Sequence, residues 1–204
     1  MKNFVITVFA ILFCNVLMAQ EVKLTLNNGD VVEGTTTSPF MFDNFNEIRV
    51  KVATTGEKKD YTSLDVESVK YRGKNEKDWV TFIPLLAQKS MPSIWNKSPK
   101  PYNKPVFMQP LYDGKKVSAY KHFISTQTNT KNLQINGAGC VYYFKVKGED
   151  VARAYWMSSA MGVKAMLKVV FKDFPEMKPI ISELDVDKFY EDPLIIIRKF
   201  DETK

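Results

Sequence analysis

The chain has 204 residues, 45% hydrophobic and 25% charged, with a formal net charge of +6 at pH 7. That is enough to bury a core in one compact domain or two small ones. Nine glycines, ten prolines and an ordinary apolar content exclude a collagen-like repeat and whole-chain disorder.

The positive start Met1-Lys2-Asn3 leads into an apolar run from Phe4 to Leu17, broken by Thr7 and Asn15, then Met18-Ala19 and the polar Gln20-Glu21. This is the pattern of a secretory signal peptide (residues 1–19) cut near Ala19, because the run falls short of the roughly 20 residues a bilayer core requires. The expected location is the periplasm or the medium. No transmembrane segment is expected in the mature chain, and peripheral membrane contact is compatible with its charge. Cleavage removes Cys14, so Cys140 is left as a single thiol with no intrachain partner.

Residues 20–83 read as a β-rich subdomain. Val22 to Asn27 alternates apolar and polar residues, Asn28-Gly29 follows, and Val31 to Thr35 resumes the pattern, which together signal a hairpin. Ile48 to Val52, Lys59 to Leu64, Val66 to Tyr71 and Trp79 to Ile83 supply further short strands. Turns this short require antiparallel pairing. A curled sheet or a small SH3-like barrel would bury Leu24, Leu26, Ile48, Val50, Val52, Val69 and Trp79.

Residues 84–105 read as a proline-rich connector. Pro84, Pro92, Pro99, Pro101, Pro105 and Pro110 crowd this stretch and its end, so regular structure should be scarce. Trp95, Lys97, Lys100, Tyr102, Lys104 and Phe107 interleave charge with aromatics, and they are the candidate ligand-binding residues for a partner protein or an anionic polymer. An ordinary connector pinned by its aromatics is the plainer reading. Nucleic acid suits an exported chain poorly.

Residues 106–147 read as a second β unit. Val106 to Tyr112 turns through Asp113-Gly114-Lys115-Lys116 into Val117 to Ile124. Thr126 to Asn136 fits either strand edges or a loop, Asn136 to Gly139 reads as a flexible turn, and Cys140 to Val146 is a strand. Residues 148–204 change to helical periodicity, with Val151, Ala154 and Tyr155 on one face and a helix over about residues 159–172. Pro175 marks a restart, and Asp192-Pro193 starts a terminal helix through Phe200. The run Ile195-Ile196-Ile197 leaves residues 194–200 open between helix and strand. The fold class is therefore α+β: an antiparallel β-rich N-terminal and central region with C-terminal helices.

The chemical inventory is mostly negative. His122 is the single histidine, so a histidine-rich zinc site is excluded, and no metal is expected. Gly137-Ala138-Gly139 precedes a strand and lacks the rest of a dinucleotide fingerprint, so no cofactor is implied. Asp185-Val186-Asp187 lacks the glycine and glutamate of a calcium loop. Two carboxylates among Asp43, Glu47, Asp60, Asp65 and Glu67, or a His122–Cys140 pair, are the remaining hydrolytic candidates.

Leu26 to Gly34, Val117 to Phe123, Val141 to Lys147 and Phe171-Lys172-Asp173-Phe174-Pro175-Glu176-Met177, together with the leader, resemble uncharacterised exported proteins of Bacteroidota. That resemblance implies a β-rich body ending in short helices around an Asp-X-Pro-Glu-Leu-like turn. Phe174 stands where cysteine is common in that pattern, and Met177 where leucine is common. It implies no catalytic residue. The expected role is a non-enzymatic envelope protein that binds a protein or an anionic polymer, with an envelope hydrolase using carboxylates or Cys140 as the alternative.

Overall fold

The computed structural model describes residues 20–36, 46–73, 77–92, 99–130, 133–157 and 162–203, and for 124–130 and 133–138 the backbone alone. The described residues divide into two compact units, 20–36 with those from 47 to 82, and those from 83 to 203 with residue 46.

The first unit is built from β1 (Gln20–Leu26), β2 (Val31–Thr36), β3 (Glu47–Val52), β4 (Lys58–Thr62), β5 (Val66–Arg72) and the first half of β6 (Val80–Leu85). They are antiparallel, in the order β6-β5-β1-β2-β3-β4. The Asn28-Gly29 turn forms as its residues require: Gly29 has φ +88° and donates its amide to Leu26 O at 2.9 Å. Among the described residues no ladder joins β4 to β6, so the strand order is open and no barrel is closed.

Alternation sorts the two faces of this sheet. Val22, Leu24, Ile48, Val50, Tyr61, Val69, Tyr71 and Phe82 are buried. Each aliphatic side chain of this set contributes about 1.5–3 kcal/mol by leaving water. Leu26, Val52 and Trp79, also expected inside, are only half-buried. Their positions explain it: Leu26 lies at a register shift, Val52 opens a turn, and Trp79 precedes β6.

The second unit takes the last half of β6 and adds β7 (Val106–Asp113), β8 (Val117–Thr130), β9 (Leu133–Val146) and β10 (Arg153–Met157), each antiparallel to the next. Four short helices follow: α1 (Val163–Val170), α2 (Met177–Ser182), α3 (Val186–Glu191) and α4 (Ile195–Asp201). The antiparallel β body with C-terminal helices is thus present.

Several local expectations are corrected. Residues 136–139 are not a turn: β9 begins at Leu133, with Thr126 opposite Gly137 and Ile124 opposite Gly139. A threonine-rich partner strand, rich in β-branched residues, carries the glycines in the ladder. The segment with Ala154 and Tyr155 is strand β10, not a helix. A register shift between Ala154 and Trp156 lets Tyr155 and Trp156 both face the helices while Ala154 faces the other side. Pro84 and Pro110 lie inside strands β6 and β7, and Pro110 borders a bulge that relieves its missing amide. The Ile195-Ile196-Ile197 run is helical, since Ile196, Ile197 and Phe200 are fully buried against the sheet and tertiary packing overrides β propensity.

One face of this sheet, with Val117, Ala119, Phe144 and Tyr155, packs on the helices. Phe144 stacks on Phe171 at 4.8 Å and meets Phe174 and Phe200 edge-on at 6.1 and 6.0 Å. The other face, with Met108, Val141, Tyr143 and Ala154, packs on Leu85 and Ala87. Asp185 caps α3 by accepting from the amides of Asp187 and Lys188, so the Asp-X-Asp sequence is a helix start.

Candidate functional site

The proline-rich segment is more ordered than its composition suggests. The amide of Ala152 donates to Leu86 O, and that of Gln88 to Ala152 O, at 2.8 and 2.9 Å. Lys89 N donates to Lys100 O and Tyr102 N to Ala87 O. These bonds clamp Leu86–Lys89 between the return stretch at Lys100–Tyr102 and the loop before β10. The rigid φ of the flanking prolines keeps the chain extended at this clamp.

A cleft of about 560 Å³ opens beside it. Pro92, Pro99 and Pro101 form one wall, Glu149, Asp150 and Arg153 the loop side, and Lys172 and Asp173 extend from the end of α1. Arg153 is committed within the protein. Its Nη2 and Nε donate to the Glu149 carboxylate at 2.7 and 3.2 Å, its Nη1 donates to Asp173 at 3.2 Å, and its guanidinium lies 5.3 Å from the Phe174 ring centre. A fork already engaged by two carboxylates has little left for an anionic ligand.

Gln88 also lines the cleft, and its Oε1 is buried with no hydrogen-bond donor among the described residues. An acceptor held out of water without a partner costs about 1–3 kcal/mol. The backbone bonds on both sides of Gln88 fix its main chain beside the cleft.

The sequence-derived candidates are only partly brought to this place. Trp95 and Lys97 lie outside the described residues. Lys100 and Lys104 are exposed, and Lys100 stands between the wall residues Pro99 and Pro101. Tyr102 packs half-buried on the inner cluster and is hydrogen-bonded to Tyr143, whose hydroxyl burial and this bond raise above its ordinary range. Phe107 is 2% exposed. Its neighbours Val106 and Met108 are buried too, so β7 is covered on both faces there and Phe107 is a packing residue. Gln88, Glu149, Asp150 and Asp173 were not singled out from sequence. The one available signal was a lone amide side chain directly after Leu85-Leu86-Ala87.

His122 and Cys140 do not form a nucleophile–base pair. His122 lies opposite Val141 and Phe123 opposite Cys140, so alternation puts the imidazole and the thiol on opposite faces of the β8–β9 ladder. His122 is 2% exposed, and its Nδ1 donates to Phe107 O at 3.3 Å. Among the described residues no group of three or more His, Cys, Asp or Glu side chains is placed to hold a metal ion. Nor is any described helix long and apolar enough to cross a membrane.

No known protein family, no curated protein and no solved structure matches this chain.

Proposed function

We propose that the chain is an exported, non-enzymatic binding protein that holds a segment of a partner protein in the proline-walled cleft of its second unit. The observation that carries this reading is the buried Gln88 Oε1, with no donor among the described residues, on a residue that lines a cleft of about 560 Å³. A peptide suits it, because backbone amides are donors that can satisfy a fixed acceptor, and proline walls offer apolar contact at little entropic cost. Glu149, Asp150 and Asp173 outnumber Arg153 and Lys172 along the lining, which favours basic or neutral segments over an anionic polymer at this place. The exported setting rests on the leader at residues 1–19 and on the resemblance to exported Bacteroidota proteins.

The test is selection of a random peptide library on the purified protein, followed by titration of enriched peptides. Enrichment of neutral or basic sequences whose affinity falls about tenfold or more in Gln88→Met supports the reading. Absence of enrichment, or binding indifferent to Gln88→Met, overturns it.

A further inference from the structure

The outward face of the first unit carries two like-charge lysine pairs beside the cross-strand ion pairs Lys23–Glu33 and Arg72–Glu21. Register places Lys23 directly opposite Lys70 across β1–β5, and Lys51 directly opposite Lys58 across β3–β4. Like charges facing each other across a ladder are destabilising. Lysines on an exposed edge deter strand pairing, which accounts for Lys58 on β4. That reason fails for Lys23 and Lys70, whose strands β1 and β5 both lie inside the strand order. Lys23 does bond Glu33 at 2.7 Å, but its side chain is 43% exposed and that of Glu33 57%, and such pairs contribute little to stability.

From Lys51 a cross-strand row continues over the same face, Lys51–Thr35–Glu21–Arg72. Trp79 ends it. The residue sits just before β6, whose Val80 pairs with Tyr71, so Trp79 comes into line with Arg72. The Arg72 guanidinium is 4.8 Å and the Lys23 ammonium 5.6 Å from the indole ring centre, which fixes the ring among cations. A groove of about 460 Å³ follows this row and is lined by Glu21, Lys23, Glu33, Thr35, Lys51 and Trp79.

We propose that this groove binds an acidic polysaccharide. A pyranose ring lies against the half-buried Trp79, whose large apolar surface is already held in place. Its acid groups fall to Lys51 in the groove and to Lys70, which stands outside the groove lining, opposite Lys23; among the described residues neither has a carboxylate within ion-pair distance. The neighbouring hydroxyls donate to the Glu21 and Glu33 carboxylates. The interleaved carboxylates decide between polymer classes. A deoxyribonucleotide backbone brings an anion at every residue and no hydroxyl donor beside it, so it would meet Glu21 and Glu33 with like charge alone, whereas every sugar of a uronate chain brings hydroxyl donors next to its acid group. This site is independent of the peptide cleft.

The test is affinity electrophoresis of the full mature protein through gels containing polygalacturonate, neutral dextran or single-stranded oligo-dT. Retardation by polygalacturonate, weakened by salt and absent with dextran, is expected. Trp79→Ala should weaken it about fivefold or more. Should Trp79→Ala not fold, Lys51→Glu and Lys70→Glu, at exposed positions, should each weaken it severalfold while leaving the unfolding midpoint near that of the parent. No retardation, equal retardation by dextran, stronger retention by oligo-dT, or retention indifferent to these variants overturns the proposal.

Discussion

The carboxylate of Asp201, at the end of α4, fills the space a side chain on Gly114 would need: a Cβ there would stand 2.4 Å from its Cγ, Oδ1 and Oδ2. From that position Asp201 accepts the amides of Lys115, Lys116 and Val117 at 3.1, 2.7 and 3.0 Å, and the Tyr112 hydroxyl at 3.0 Å. The C-terminal helix thereby caps the β7–β8 turn. Lys116 reinforces the junction by donating to Glu176 at 2.8 Å and to Thr203 at 2.9 Å, with its ammonium 4.6 Å from the Phe200 ring centre.

Gly114→Ala should therefore act through Asp201. The added methyl displaces a carboxylate that several donors hold, and bonds to a charged acceptor are each worth about 1.5–3 kcal/mol. The single variants Gly114→Ala and Asp201→Ala should each destabilise by about 1–3 kcal/mol. In the double variant, Gly114→Ala should cost under about 0.5 kcal/mol more, because the obstacle is gone. Urea unfolding of the four proteins measures this coupling; simple additivity would refute it.

The acid limb of stability carries the same signature. Burial alone would raise the Asp201 carboxyl, but the amides of Lys116, Lys115 and Val117 and the Tyr112 hydroxyl outweigh it and hold the group below its usual range. The Lys116 ammonium does the same for Glu176. A carboxyl depressed in the folded state stabilises fully above its unfolded value, about 3.9 for aspartate, and loses that contribution as pH falls through the folded value. The stability gap between the parent and Asp201→Asn should be constant from about pH 5 to 7 and should close below about pH 4. A gap that stays open in acid would contradict this account.

The parts of this fold that sequence revealed are those set by local chemistry. Asn28-Gly29 dictates its own turn, and period-two alternation marks Val22, Leu24, Ile48 and Val50 as inward. The parts it hid depend on distant partners. Val151, Ala154 and Tyr155 have the i, i+3, i+4 spacing of a helix face, and only pairing with β9 reveals the consecutive buried residues Ala154-Tyr155-Trp156 as a bulged strand. Isoleucines 195–197 prefer extended backbone, and only the pocket formed around Phe144 and Phe171 makes the helix win. Near the cleft, neighbourhood along the chain and neighbourhood in space differ: strand β7 buries Phe107, while Gln88, directly after an apolar run, lines the cleft with a buried Oε1 that has no donor among the described residues.

Gln88→Met should separate stability from binding. The free protein carries the cost of the unpartnered Oε1, so a side chain of similar shape without that acceptor should stabilise it by up to about 1 kcal/mol. Peptide affinity at the cleft should fall in the same variant. Thermal unfolding and peptide titration read the two effects; a lower Tm would show that the Gln88 side chain is structurally needed.

Lys59 offers a test of how the first unit guards its edge. The residue lies on edge strand β4 opposite Val50, hence on the sheet's apolar side, and its ammonium stands 5.1 Å from the Tyr61 ring centre. An inward charge on an edge strand obstructs pairing with a second chain. Lys59→Val should leave folding stability within about 0.5 kcal/mol or raise it, because the position gains β propensity and apolar contact. The same substitution should produce concentration-dependent association that the parent does not show. Size-exclusion chromatography over a hundredfold range of loading, alongside urea unfolding, measures both. A variant that elutes like the parent at every loading would assign Lys59 no protective role and leave the charge at Lys58 as the guard of that edge.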